Sequence, residues 1–386
     1  MKQFRLSTPV ILLHAGYIIV SVCLFLYSYT QVDLNLTLSR ASFIQAIQKA
    51  FQYIGFYNRP MSAGMYVGIV MLLFALYAWA LNLARSGTLS LSRIWSIIWT
   101  VVLLVTLSYP AAFSYDFFNY MFTAKTVMVY HKNPYTVIPL QFAGIDPWVN
   151  FMRWTHLSSA YTPLWIGMTL IPYAFGLGYF VLVLFGIKVL VAAFYLLACI
   201  FLAKIVMSKD SRSAAVSMVL FALNPLVIIE SLVSSHNDIV MMAFVLVALW
   251  YLEQKNMITA WWYLALSIAA KFVTIVLIPL FYMRQSRIFM LLTMIAGLIF
   301  VIMKRGEMLP WYWVWIVPFI ALLPDKRELH VVATVFAFGL LMRYTTFIYV
   351  GSYEPWVLAI NTWFPYISLA AGFGYVMCAR FMKSRV

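Results

Sequence analysis

Five polar residues after an apolar run fall at spacings of three, four, three and four: Asp116, Asn119, Thr123, Thr126 and Tyr130. On a helix they share one face, with Phe117, Phe118, Met121 and Phe122 covering the others. Asn150, Arg153 and His156 follow at steps of three and align in the same way if they too are helical. Further along stand Glu230, the run Ser234-Ser235-His236-Asn237-Asp238, and Lys271 within Ala-Ala-Lys-Phe. The set offers carboxylates that can take a proton and cations that can hold an anion. Each residue also has a plainer reading. Asp116 can cap a helix, Arg153 can reach for lipid headgroups, and His156 can be an ordinary loop histidine. His236 to Asp238 can start a helix, and Lys271 can be half of an ion pair with Glu230 or Asp238.

The elements that must position these groups are set by composition. Hydrophobic residues make up 65% of the chain and charged residues 10%, against roughly half and a quarter in soluble domains. Apolar runs near membrane-span length recur throughout, near 9–29, 64–82, 94–113, 163–182, 183–206, 214–230, 238–252, 259–282, 288–303, 308–323, 331–350 and 361–379. Backbone in lipid must satisfy its own hydrogen bonds, so these are expected to be helices. The expected fold is an all-α polytopic membrane protein with about ten to twelve transmembrane helices. It forms a single integral-membrane domain over 1–386, with a core at 163–282 and C-terminal helices at 288–386. Pro9–Tyr29 is too long for a signal-peptide core and lacks a small-residue cleavage site, so it reads as an anchor that stays.

Two loops carry most of the polar sequence, 30–62 and 114–162. In the first, Phe43, Ile44, Ile47, Ala50, Phe51 and Ile54 recur at helical spacing, opposite Arg40, Gln45, Gln48, Lys49 and Gln52. This is the pattern of a helix lying in the membrane interface. The second loop reads as two more such helices. Asn133-Pro134 ends the first near Tyr130, Asp146-Pro147 caps the second, and Tyr161-Thr162-Pro163 precedes re-entry.

Basic clusters at Lys2/Arg5, Arg85/Arg93, Arg284/Arg287, Lys326/Arg327 and Arg380/Lys383/Arg385 are expected on the cytoplasmic side, which puts both long loops outside. Two topologies satisfy this. Twelve full crossings place Lys209/Arg212 and Lys255 outside and the His236 triplet inside. If instead 163–182 and 259–282 are broken or re-entrant, with Pro172 and Pro279 as break points, the basic residues return to the cytoplasm. The triplet then faces the same side as Asp116. The second is favoured, because broken segments mark sites in membrane proteins.

The net charge of +15 is spread in short clusters at the ends of apolar runs, which suits membrane topology and lipid headgroups rather than nucleic acid. Cys23, Cys199 and Cys378 lie in apolar runs without metal-ligand spacing and read as buried, inert thiols. Trp148 and Trp154 read as interfacial-belt residues, and Trp311-Tyr312-Trp313-Val314-Trp315 as either belt or cavity lining. There is no phosphate-binding glycine loop, no dinucleotide fingerprint, no His-rich metal spacing and no Asp-x-Asp pair.

The order of motifs resembles a known family. Asp116 is followed by Asn133-Pro134-Tyr135 and Tyr161-Thr162-Pro163-Leu164. Then come Asn224-Pro225-Leu226, Glu230, His236-Asn237-Asp238, and Lys271 ahead of Pro279. This order is similar to that of the polyprenyl-phosphate-sugar-dependent, C-type (GT-C) integral-membrane glycosyltransferases, most of all the bacterial mannosyltransferase-like branch. The resemblance covers about Asp116 to Pro279. It implies a hexosyltransferase that moves a sugar, by default mannose, from a polyprenyl-phosphate donor to a lipid or glycan acceptor. Transfer would occur with inversion on the extracytoplasmic face of the bacterial inner membrane, with no cofactor and no metal. In that family an acidic loop residue deprotonates the acceptor, and Asp116 matches it. Lys271, His236, Asp238, Arg153, His156, Tyr161, Asn133, Tyr135 and Glu230 are the implied donor-phosphate or substrate-binding residues. The chain departs from the simpler family pattern in having two extra segments before Asp116 and an acid in its first loop, Asp33, which ranks second as an acceptor-site residue.

Two other classes fit parts of the sequence. A polytopic transporter or flippase of lipid-linked sugars suits many spans, but two related halves and short loops are missing. A non-enzymatic membrane scaffold leaves Lys271 and the polar stripe unexplained.

Overall fold

The structure, a computed structural model, describes residues 7–208, 210–283 and 286–383. Lys2, Arg5, Lys209, Arg284 and Arg385 lie outside the described residues, as does the side chain of Lys383. The helices in chain order are α1 Thr8–Ser28, α2 Ser42–Tyr57, α3 Arg59–Arg85, α4 Leu91–Val105, α5 Asp116–Met128, α6 Pro163–Phe175, α7 Phe180–Met207 and α8 Ser211–Ala222. They continue as α9 Pro225–Ile228, α10 Asp238–Glu253, α11 Met257–Ala270, α12 Ile278–Met283, α13 Arg287–Arg305, α14 Val317–Ala321, α15 Arg327–Val350 and α16 Pro355–Lys383. No strand occurs among the described residues. The chain is an all-α polytopic membrane protein. Six described helices are long and apolar enough to cross a membrane: α1, α3, α7, α13, α15 and α16. A bent pair, Ser211–Ala222 with Pro225–Val233, makes a seventh and turns by 54°.

The remaining apolar segments fold into shorter helices. At about 1.5 Å per residue, a helix of the length of α6 or α11 (13 and 14 residues) falls well short of a hydrocarbon core of about 30 Å. The 259–282 segment is broken, but at Lys271 and not at Pro279. Lys271 has extended backbone (φ −161°, ψ 124°), and a 3-10 turn from Phe272 to Leu277 follows it. Pro172 sits inside α6 without ending it; that helix stops at Phe175, before Gly176. The bend between α8 and α9 comes from Asn224-Pro225. Proline lacks the N–H that would continue the helix, and Asn224 Oδ1 caps the new one by accepting from the Leu226 N–H at 3.0 Å. After α9 the chain widens into a π-turn, Ile229–Val233, and then turns at Ser235, whose φ of 54° is rare outside glycine.

The α2 helix is present over Ser42–Tyr57. Its glutamine face is the buried one, and Phe43 and Ile47 are exposed. Gln48 Nε2 donates to the Leu36 carbonyl at 2.6 Å, and Gln52 Nε2 donates to the carbonyls of Val32 and Asp33 at 3.2 and 3.0 Å. In a membrane protein lipid can cover the apolar face, so the polar face is free to hold the preceding loop. Gly55 allows the close approach this needs, because a Cβ there would lie 1.8 Å from the Thr30 carbonyl oxygen.

Helix α5 is covered by protein over most of its surface. Phe117, Phe118, Tyr120, Met121, Phe122, Thr123, Ala124 and Thr126 are all buried, so it is packed among other elements on most sides. Of the expected polar stripe, Thr126 bonds back to the Phe122 carbonyl and Tyr130 lies beyond the helix, bonded to Asp146. Of the stripe residues within the helix, Asp116 and Asn119 remain partly uncovered. The second helix of this loop is a short 3-10 turn, Pro147–Phe151, with Asp146 as its cap. It ends before Arg153 and His156, so Asn150, Arg153 and His156 share no helical face. Cys199 is buried as expected, whereas Cys23 and Cys378 are exposed on their helices.

Candidate active site

Asp116 is the first residue of α5, where the helix dipole favours a carboxylate. Tyr115, not Asp116, occupies the cap position, so the carboxylate remains available. Its support comes from a chain of loop contacts. Asn133 Oδ1 accepts from the Tyr135 N–H at 3.0 Å, the Tyr135 hydroxyl donates to the Tyr161 carbonyl at 2.8 Å, and the Tyr161 hydroxyl donates to the Asp116 carbonyl at 3.5 Å. The side chain of Asp116 is a quarter exposed. Burial raises its carboxyl above the ordinary value, Lys271 pulls it back down, and Asp238 pushes it up.

His236 meets this carboxylate from the bend between the α8–α9 pair and α10. His236 Nδ1 lies 4.0 Å from Asp116 Oδ2, and its Nε2 lies 3.4 Å from Glu230 Oε2. Trp311 stacks on the imidazole with centroids 4.3 Å apart. Glu230 is fully buried, and its Oε1 accepts from the Tyr344 hydroxyl at 2.9 Å. This contact rules out twelve full crossings, which put the His236 triplet and Asp116 on opposite faces. The triplet faces the same side as Asp116.

Lys271 projects from the break between α11 and the 3-10 turn. Its Nζ lies 2.7 Å from Asp238 Oδ1, which also accepts from the Trp315 indole N–H. The Tyr312 and Trp315 rings flank the ammonium at 6.0 and 5.3 Å. The aromatic run at 311–315 therefore lines this cluster rather than a lipid belt. The break is held by Thr162, whose hydroxyl donates to the Ala270 carbonyl at 3.0 Å and accepts from the Trp165 N–H. Arg305, at the last turn of α13, also acts on the Asp116 carboxyl.

The far end of the molecule gathers other charges. Helix α10 runs from Asp238 to Glu253, and Glu253 pairs with Arg287 at 2.6 Å. Arg85 bonds to His330 at 2.8 Å, and Arg212 donates to the Arg85 carbonyl. Arg212 thus joins the Arg85 cluster, as the broken-segment topology requires.

Arg153 and Asp33 form a separate group beside Asp116. The Arg153 guanidinium lies over the Tyr115 ring at 4.7 Å and donates to its hydroxyl at 3.5 Å. That hydrogen bond, with further support from Asp33, holds its pKa up. Asp33 Oδ1 accepts from the Asn35 N–H at 2.9 Å, in a turn. His156 is exposed, with its ring 6.4 Å from that of Trp154.

Two participants had no place in the sequence expectation. Tyr344 belongs to α15, far from Glu230 in sequence, and no local pattern singles it out. Lys188 does carry a signal, a lone charge within an apolar run. It is almost fully buried, and its Nζ donates to the carbonyls of Leu232 and Val233, each at 2.8 Å, and to Ser108 Oγ at 3.3 Å. It ties off the π-turn two residues before Ser235.

A cluster of carboxylates, a histidine and a lysine at the broken ends of membrane helices is suited to proton abstraction beside an anionic leaving group. No curated protein and no solved structure matches this chain. A family model does: the MptA_B family, described as the alpha-(1->6)-mannopyranosyltransferase N-terminal domain, matches residues 15–287, well over half of the sequence. The chain belongs to this alpha-(1->6)-mannopyranosyltransferase family and is a membrane mannosyltransferase, an enzyme of the hexosyltransferase class.

Proposed function

We propose that the protein is a GT-C-type enzyme that transfers mannose from a polyprenyl-phosphate donor to a glycan or glycolipid acceptor, with inversion. Asp116 takes the proton from the acceptor hydroxyl. The oxygen forms its bond to the anomeric carbon as the bond from that carbon to the phosphate oxygen breaks, and the electron pair leaves on the phosphate. Lys271 supplies positive charge for the departing phosphate, with Asp238 and Trp315 fixing its position, and Arg305 adds charge at the rim. Asp33, Arg153 and His156 stand on the acceptor side. The cluster would open on the extracytoplasmic face of the bacterial cell membrane, since Arg85, Arg212 and Arg287 gather at the other end.

The observation that carries this reading is the convergence of Asp116 with the Lys271–Asp238 pair. Asp116 feels the charges of both, and Lys271 Nζ keeps 2.7 Å from Asp238. A base and a phosphate-binding cation thus share one end of the bundle. The test is donor choice: membranes containing the protein are given polyprenyl-phosphate mannose or a nucleotide mannose, each labelled in the sugar. Label moving to acceptor only from the lipid phosphate supports the reading, and direct use of the nucleotide sugar opposes it.

A further inference from the structure

Resting on that mannosyl-transfer reading, we propose that His236 is not a ligand of the donor phosphate. It is the proton acceptor behind Asp116, a positioning and relay residue held in register by Glu230. His236 is 2% exposed, against 30% for the Lys271 side chain, so a phosphate reaching the cluster meets Lys271 first. Trp311 covers one face of the imidazole. Both ring nitrogens face carboxylates, Nδ1 toward Asp116 at 4.0 Å and Nε2 toward Glu230 Oε2 at 3.4 Å. Glu230 Oε2 and His236 Nε2 are buried and make no hydrogen bond among the described residues, so the polar approach between them is their 3.4 Å contact. The backbone also binds the two residues together, since the His236 N–H donates to the Glu230 carbonyl at 2.9 Å.

The chemistry follows from these contacts. An Nε2–H directed at Glu230 leaves the Nδ1 lone pair toward Asp116. When Asp116 has taken the acceptor proton, it can pass that proton to Nδ1. The resulting imidazolium lies between the Asp116 and Glu230 carboxyl groups, and Asp116 is ionised again. The proton lost by the acceptor oxygen ends on Nδ1, and the electron pair released from the anomeric carbon stays on the phosphate. The charged and titratable groups acting on His236 are Asp116, Glu230, Asp238 and Lys271. Those acting on Glu230 are Tyr344, Tyr66, Asp238 and Asp116. Burial lowers the His236 pKa to about 3, and Asp238 and Lys271 act on it in opposite senses, so the imidazolium is a short-lived carrier that rests on its contacts with the neighbouring carboxyl groups.

The test uses the purified full chain with polyprenyl-phosphate mannose, comparing wild type with His236→Gln, Glu230→Gln, the double variant and Asp116→Asn. Glu230→Gln keeps the side chain's shape and its contact with Tyr344, which serves if His236→Gln fails to fold. The relay predicts that His236→Gln and Glu230→Gln each lower kcat by about 10- to 100-fold while the donor KM stays within about twofold. The double variant should be no worse than His236→Gln alone, because both act through one path. A rise in donor KM with unchanged kcat, wild-type kinetics, or full additivity would each overturn the relay. Inactive Asp116→Asn beside fully active His236→Gln removes the relay alone. Fully active Asp116→Asn removes the underlying reading, and the relay with it.

Discussion

The Thr162 hydroxyl lies 3.0 Å from the Ala270 carbonyl, so the exit of the 114–162 loop is bonded to the helix break that presents Lys271. The same hydroxyl caps α6. One side chain thus couples the loop carrying Asp116 to the segment carrying the cation. Thr162→Ala removes both contacts, at a cost of about 0.5–2 kcal/mol for the cap alone. The expected result is a donor KM raised by about 5- to 10-fold, with a smaller fall in kcat, in transfer assays on purified protein. Thr162→Ser keeps the hydroxyl and should restore most of the loss.

The Lys271–Asp238 pair makes a pH prediction. A general base works ionised, so activity is present above its pKa and lost as pH falls through it. Burial places the Asp116 pKa above 3.8, and Lys271 holds it down. Lys271→Met should therefore move the acidic limb of the kcat/KM profile to higher pH and lower kcat/KM by about 100-fold at neutral pH. Asp238→Asn should move the limb the other way. A pH titration of transfer rate across the three proteins checks both directions.

Lys188 predicts a structural dependence. Its amino group closes off the Leu232 and Val233 carbonyls beneath the His236 turn. Lys188→Met leaves two buried carbonyls without that donor, and the penalty is about 2–3 kcal/mol. The melting temperature in detergent should fall. Hydrogen exchange should rise at residues 229–238 before it rises in α10.

Much of the architecture was legible because membrane burial imposes long apolar runs, and α1, α3, α7, α13 and α15 fall where those runs predict. Asp116, His236, Asp238 and Lys271 were also legible, because polar groups among apolar ones stand out. The polar stripe of α5 has helical spacing, but its exposure was not legible, because Thr126 satisfies its hydroxyl on its own helix and is buried. The break at Lys271 was misplaced to Pro279, because proline is the visible breaker, whereas the Thr162 contact to Ala270 belongs to the tertiary fold. The burial of Gln48 and Gln52 was not legible, because their partners are loop carbonyls of residues 32–36. Apolar faces turn inward in water, but lipid lets the polar face turn to the protein. Tyr344 had no local signal, since its partner Glu230 is remote in sequence.

The central claim is that Asp116 is the base. It is tested most directly by mannose transfer from polyprenyl-phosphate mannose in membranes holding equal amounts of folded wild type and Asp116→Asn. The account predicts loss of transfer by at least about 1,000-fold, with donor binding retained. Asp116→Asn protein that transfers mannose at the wild-type rate would contradict it.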